Sequence, residues 1–395
     1  MRAERGQATV DYVALVAVAV LLLGTAASGV GVGAPAIANA VLGQVHRGLC
    51  LVSGRSCEVQ RARPCTVTST RDSHHFAVNV MLLRVDRDRY VLRERLSDGT
   101  VRLTVAGRTG AGVEVGVGLR LQVEKDGRTI GGVDEARAGV QGVLGRGQVF
   151  SARDDREADA IVRVIRGDGG RLPRPRAVFY EGGLRELGRF GLSSLIAGAG
   201  FEGASEVVLG VRKDAAGPLT ISLNYGASAN ALAHALMSGP AVSGGEQVVM
   251  GLTLDRQGRQ VELSLSGAAG PAFGTVGTDK RRLAGRRREF TARIDLTDPD
   301  IAAAWADFRR SPKNMSAIRA LGERLRARAH VDMRTYGTRS LTSGAAGGVG
   351  AFFKLGAETE DTVELATLES AATRPPGGLW EPRLDCLPME VGGSG

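Results

Sequence analysis

Four groups of side chains in this sequence have types and spacings that could do chemistry. Cys50, Cys57, Cys65 and Cys386 are its only cysteines. The first three are not spaced like the close pairs of a zinc ribbon, so oxidation to two disulfides is the expected chemistry. Of the possible connectivities, the favoured one joins Cys50 to Cys57 and Cys65 to Cys386, tying the far end of the chain to the start of its body. His74 and His75 are adjacent, but no cysteine or carboxylate stands where it would complete a metal site. They read as a loop pair, and neither metal nor cofactor is expected. Lys280, Arg281, Arg282, Arg286, Arg287 and Arg288 crowd six cations into nine residues. Such a cluster could dock a polyanion, a cell-wall polymer or an anionic lipid, through salt-sensitive phosphate contacts. No aromatic residue is interleaved to stack bases, so no specific nucleic acid is expected. The competing reading is a solvated hairpin rim, or a match to the acidic run Glu358, Glu360 and Asp361, whose glutamates read as strand-edge charges. The fourth group is one carboxylate, Asp11, at the head of a long uncharged run. A carboxylate costs about 2.5 to 3.5 kcal/mol at mid-bilayer and less near the interface, so Asp11 calls for a partner or a role. The strings that mark common hydrolases, metalloproteases and nucleotide loops are absent, and the chain is not read as an enzyme.

The element that would carry Asp11 is a membrane helix. No charged side chain occurs from Tyr12 to Val45, and Val13 to Leu23 is almost wholly aliphatic, so residues 12–33 are long enough to span. Arg2 and Arg5 outweigh Glu4 ahead of it, which places the amino terminus in the cytoplasm and the bulk of the chain outside. Thr25, Ala26 and Ala27 would instead suit a signal peptidase. The string Arg5, Gly6, Gln7, Ala8, Thr9, Val10, Asp11 and Tyr12, followed by the apolar run, resembles the leader of Tad/Flp type IV-like pilins and TadE-like pseudopilins. That resemblance implies cleavage by a prepilin peptidase between Gly6 and Gln7. Asp11 then takes the place of the family's acidic residue, and Tyr12 that of the aromatic after it. The new amine of Gln7 would meet the Asp11 carboxylate of a neighbouring pilin-like subunit within the helix bundle.

Composition bounds the rest of the chain. It has 395 residues, 43% hydrophobic and 24% charged, with 56 glycines and 4% aromatics. These values exclude a disordered polymer and a polytopic helical membrane protein, and point to glycine-rich sheet. The formal charge of +9 rests almost wholly on Arg, since Lys occurs only at positions 125, 213, 280, 313 and 354; it reflects residue usage as much as any partner. Strict alternation marks the strands. Val113, Val115, Val117, Leu119, Leu121 and Val123 share one face of a long strand. Met250, Leu252 and Leu254 return through a turn at 255–258 into Val261, Leu263 and Leu265 as a hairpin. Helices are expected at 154–165, behind an acidic first turn, and at 299–310, behind the cap Asp298 and Pro299. A third, at 312–329, carries Ile318, Leu321 and Leu325 on one stripe.

The expected fold is therefore β-rich α+β: an N-terminal transmembrane helix, then an antiparallel sheet body with a few packed helices. Its divisions are a cytoplasmic leader 1–11, a span 12–33, a stalk helix and cysteine-rich neck 34–65, and a first β-rich domain 66–171. A second β-rich domain, 172–386, holds the helical hairpin 299–329, and a flexible tail 387–395 closes the chain. The Gly- and Pro-rich stretch 167–176 marks the boundary. Long strands with glycine opposite the apolar face also fit an outer-membrane barrel, but an uncleaved apolar helix and helices between strands argue against one. The expected function is a pilin- or pseudopilin-like structural subunit, single-pass in the cell membrane, touching lipid through its N-terminal helix and presenting the β-rich module outside. The runner-up is a membrane-anchored or secreted protein that binds wall polymers or another protein, and the remaining alternative is an exported enzyme whose active site is not local in sequence.

Overall fold

Alternation with period two runs through most of the described chain, and the strands it makes are long. The computed structural model describes residues 63–125, 128–130, 133–193, 197–235, 239–276, 281–311, 314–350 and 354–386. In chain order these hold β1 (Thr66–Met81), β2 (Leu83–Leu96), β3 (Val101–Lys125), the short β4 (Arg128–Ile130), β5 (Val133–Ala152), α1 (Asp155–Arg166), β6 (Ala177–Ser193), β7 (Ala197–Asp214) and β8 (Leu219–Ala235). Next come β9 (Gly239–Leu254), β10 (Gln260–Val276), β11 (Arg281–Asp295), α2 (Pro299–Arg310), α3 (Met315–Arg328), β12 (His330–Gly350), β13 (Lys354–Arg374) and a short β14 (Glu381–Pro382).

β4 and β14 aside, each strand pairs antiparallel with the next, and β13 comes back to pair with β1, from Thr68 opposite Thr367 to Met81 opposite Lys354. The sheet is a closed barrel of twelve strands. Closure pairs the edge groups that an open sheet would leave bare. The strands are also staggered. Register partners followed from Asn79 through Gln141, Glu206 and Gln247 to Arg334 arrive at Ala371 on β13, whereas Asn79 itself faces Gly356. A circuit that climbs most of a strand length is the shear that closing a barrel requires.

The three helices gather at one end, termed the lower end. The Asp154 side chain accepts from the Glu157 backbone N–H at 2.8 Å to start α1, and Gly167 at φ 105 ends it, a left-handed conformation that suits glycine. Ala158 and Ile161 of α1 pack on Val101, Leu103, Phe150 and Ala152. In α2, Asp298 caps and Pro299 leads; Ile301, Ala304, Trp305 and Phe308, with Leu321 of α3, cover Leu263, Ile294, Leu296 and Val331. By strand parity these covered residues lie on the outward face, in phase with exposed Val113, Leu144 and Phe273. The helices therefore form a collar outside the wall.

The expected fold needs correction. The body is not an α+β arrangement but a barrel whose helices lie outside it, and connections between strands leave the wall uninterrupted. Residue 172 lies in the loop between β5 and β6, which pair directly from Glu135 opposite Gly191 to Val149 opposite Ala177, so 66–171 and 172–386 share one sheet. No helix among the described residues is long and apolar enough to cross a membrane. The leader, the span expected at 12–33, nearly all of the neck and the tail lie outside the described residues. An alternating strand can turn its apolar side toward a core or away from one, and the alternation alone does not say which.

Candidate functional site

The inward positions of the strands carry a dense set of ionisable groups, and cross-strand glycines make room for them. Asp86 faces Gly110 and Glu181 faces Gly145 in register. A Cβ at either glycine would collide with the facing carboxylate, so the missing side chain is what lets the acid lie across the neighbouring strand.

On one side of the lumen these groups form a relay of alternating charge. His75 on β1 pairs with Asp88 on β2, whose other oxygen is 3.7 Å from Arg185 on β6. Arg185 Nε donates to Glu206 Oε2 at 2.9 Å, and Arg108 Nη1 donates to Glu206 Oε1 at 2.8 Å. Arg108 Nη2 also donates to Glu181 Oε2 at 3.0 Å. Higher up, the buried Arg84 donates to Glu114 at 3.1 Å and lies 3.7 Å from Asp86 and 4.0 Å from Glu358. Below the relay, Arg287 donates to Glu364 at 2.7 Å and stacks over the Tyr336 ring, whose hydroxyl donates to the Thr66 carbonyl at 3.1 Å. Buried ion pairs of this kind gain little stability but are strongly destabilising to break, so they hold the side chains in place.

The facing wall, from β8 to β10, is neutral and small: Asn224, Gly226, Ser228, Ser243, Gly245 and Gln247 line it. Gln247 donates to Asn224 at 3.2 Å. Between the walls lies a cavity of about 740 Å³, bounded on the charged side by Arg71, Arg108, Arg185, Glu206 and Glu364. Arg71 stacks over Tyr90 with its guanidinium carbon 4.5 Å from the ring centroid. Toward the lower end Tyr336, Ala366, Leu368 and Ala371 bury Cys65 and Cys386, which are joined as a disulfide with Cα atoms 5.5 Å apart. Among the described residues no group of His, Cys, Asp and Glu could hold a metal ion.

The residues singled out from sequence fare unevenly. Gly6, Gln7, Asp11, Tyr12, Cys50, Cys57 and Lys280 lie outside the described residues. The basic cluster, beginning in β11 at Arg281, is not one surface. Arg282, Arg286 and Arg288 are exposed on the outward face, Arg286 3.0 Å from Glu369, while Arg287 points into the lumen. A strand sends neighbouring cations to opposite sides, so the run of six is divided between the outer wall and the lumen. His74 and His75 are not in a loop; within β1, His74 faces outward to Asp361 at 2.6 Å and His75 faces the lumen. Glu358, read as an edge charge, is buried beside Arg84. Sequence reasoning does not find the lumen relay, although each member sits in phase with glycine and polar positions opposite an apolar row.

The closed barrel also overturns the expected function and placement. Its body is neither a surface module of a pilin-like subunit nor that of a single-pass or secreted binding protein. The barrel likewise does not fit a single-pass protein held in lipid by an N-terminal helix with that terminus in the cytoplasm; its outward side carries exposed aliphatic side chains such as Leu83, Leu144 and Leu184, with exposed arginines among them.

No protein-family model and no curated protein matches this chain. Among solved structures it is similar to the transport unit of the autotransporter AIDA-I from Escherichia coli, at 8% identity over 82% of this chain and 97% of that one, with a TM-score of 0.23. The translocator domain of the autotransporter NalP from Neisseria meningitidis gives 8% identity over 84% and 97%, with a TM-score of 0.23. The beta domain of the Bordetella autotransporter BrkA gives 7% identity over 76% and 98%, with a TM-score of 0.24.

Proposed function

We propose that this chain is an outer-membrane-type β-barrel that sets the exposed aliphatic rows of its outward face in a bilayer and offers small hydrophilic solutes a passage along the neutral side of its lumen. One observation supports the reading above all others, the sense of the alternation. Leu83 and Val85 are exposed on the outside while their neighbours Arg84 and Asp86 are buried inside; Val113 and Glu114, and Val140 and Gln141, divide the same way. A barrel built for water would do the reverse, since leaving a large aliphatic side chain exposed forfeits about 1.5 to 3 kcal/mol of burial. Lipid removes that loss, and a closed ladder leaves no strand edge unpaired at membrane depth. A tilted strand crosses with about 9 to 11 residues. The 14 residues of β2 and 25 of β3 exceed that, leaving length for the collar end. The reading is non-enzymatic: fixed ion pairs hold one wall, and the small neutral side chains opposite leave the space.

The test is to fold the purified full chain from urea into phosphatidylcholine vesicles and planar bilayers. Protease-resistant insertion and unitary currents are expected, with Ser228→Trp on the neutral wall lowering the current while insertion continues. A chain that stays monomeric and soluble without detergent, or that inserts and passes no current, overturns the proposal.

A further inference from the structure

Three arginines on the outer wall stand apart from the lumen relay. Arg87 and Arg89 on β2 and Arg146 on β5 are exposed on the outward face, and among the described residues none has a carboxylate within ion-pair distance. Register arranges them: Arg89, Gly107 and Arg146 lie in one row across β2, β3 and β5, and Arg87, Thr109 and Leu144 in another. Gly107 leaves a floor between two guanidinium groups. A Cβ there would meet only the Asp88 carbonyl at 3.6 Å and Arg89 Cγ at 4.0 Å, so packing does not demand the glycine and the space above it is open.

These residues line a hollow in the outer wall, against the strands that carry the lumen-facing Tyr90, Arg108 and Glu181. Ile165 and Arg166, at the end of α1, border it on the collar side, and Leu144, Tyr180 and Val363 border it on the apolar side. The outward carboxylates of the groove are already matched, Asp72 lying 3.5 Å from Arg166 and Asp361 2.6 Å from His74. A surplus of positive charge therefore adjoins a row of exposed apolar side chains, at the level where the collar gives way to the bare wall.

We propose that this groove seats the headgroup of an anionic phospholipid, with Arg87, Arg89 and Arg146 on the phosphate and the acyl chains along Leu144, Tyr180 and Val363. The inference rests on the bilayer reading of the barrel. Guanidinium forks match phosphate oxygens in shape and charge. A zwitterionic headgroup would bring its own cation beside arginines that lack counter-charges, so a net negative headgroup is favoured. A free phosphate would satisfy the cations but leave the adjoining apolar row untouched, so the occupant is a lipid.

The test uses the full chain in dodecyl maltoside, titrated with phosphatidylglycerol, phosphatidylcholine or inorganic phosphate, with retained lipid read by native mass spectrometry. Selective retention of phosphatidylglycerol is expected. The combined Arg87→Ser, Arg89→Ser and Arg146→Ser variant should bind it about tenfold more weakly, as the loss of three exposed charge contacts implies. The combined Arg282→Ser, Arg286→Ser and Arg288→Ser variant, altered elsewhere on the outer wall, should bind as the parent does. Gly107→Leu keeps every charge but fills the floor, and should also weaken retention, which guards against misfolding of the triple variant. Equal retention of phosphatidylcholine, undiminished binding by both groove variants, or full displacement of the lipid by inorganic phosphate overturns the inference. Insertion into phosphatidylcholine vesicles, scored in parallel, separates the two readings. Variants that insert and still hold phosphatidylglycerol sink the groove alone, whereas a parent chain that neither inserts nor retains lipid sinks both.

Discussion

Along β3, Val101 and Leu103 near the lower end and Val113 higher up all point outward, yet Val101 is 1% exposed, Leu103 0% and Val113 50%. On β5 the contrast repeats: Phe150 is 1% exposed and Leu144 73%. The strands, their pairing and their alternation are continuous from one region to the other; what changes is the cover. Below, α1 lies over β3 and β5, and α2 and α3 over the strands from β9 to β12, so the outward row becomes a small core of conventional kind. Above, nothing in the described chain covers that row. The same outward-apolar wall thus meets protein at one end and, on the bilayer reading, lipid over the rest. The helices show what the bare wall lacks: an apolar partner.

That contrast can be broken by substitutions in each region. The largest effect is expected from Trp305→Ala, which removes a buried ring that contacts Phe308 at a centroid distance of 5.6 Å and donates to Gln260 at 2.8 Å. Such a truncation typically costs about 3 to 5 kcal/mol. Urea titration followed by amide exchange should show the loss concentrated in α2 and α3, with β1 still protected against β13. Global unfolding at the same denaturant concentration would mean that the collar and the wall are one unit. Next, Leu184→Arg alters a residue that is 61% exposed. In detergent-free water its effect should be within about 0.5 kcal/mol. On folding into vesicles it should cost about 2 to 4 kcal/mol if Leu184 sits near the bilayer midplane. An unchanged insertion equilibrium would contradict a lipid-facing wall.

The smallest effect is a pH dependence confined to the collar. The Glu157 carboxylate accepts from the Arg153 backbone N–H at 2.8 Å and from its guanidinium at 3.0 Å, and these contacts hold the carboxyl below its usual value. A depressed folded value means that the contribution to α1 is fully present above the unfolded carboxylate value of about 4.3 and is lost as pH falls through the folded one. Amide exchange in α1 should quicken across that acidic window. Glu157→Gln should flatten the dependence, and a variant that retained it would assign the effect to another group.

How much was legible in the sequence depends on the reach of the interaction. The hairpin from Met250 to Leu265 could be read because its alternation and its turn at 255–258 are local, and the expected helices at 299–310 and 312–329 correspond to α2 (Pro299–Arg310) and α3 (Met315–Arg328) because capping and stripe are local too. The arginine run at 286–288 misled for a physical reason: proximity along a strand is opposition across it, so Arg287 joined Glu364 in the lumen while Arg286 and Arg288 faced out. The lumen relay could not be read because its pairs, such as Arg108 with Glu206, meet only when the curvature of the closed sheet brings β3 and β7, with two strands between them, within reach on the inner face.

By itself the sequence determined that each strand would have one apolar and one polar side, and where the turns and helix caps would fall. It did not determine which side would be the inside. A period-two pattern reads the same when a sheet is turned over, so the pattern carries no sense of curvature. That sense came with the pairing of β1 to β13, strands at opposite ends of the described chain, which bent the sheet around its charged face and left the aliphatic one outward.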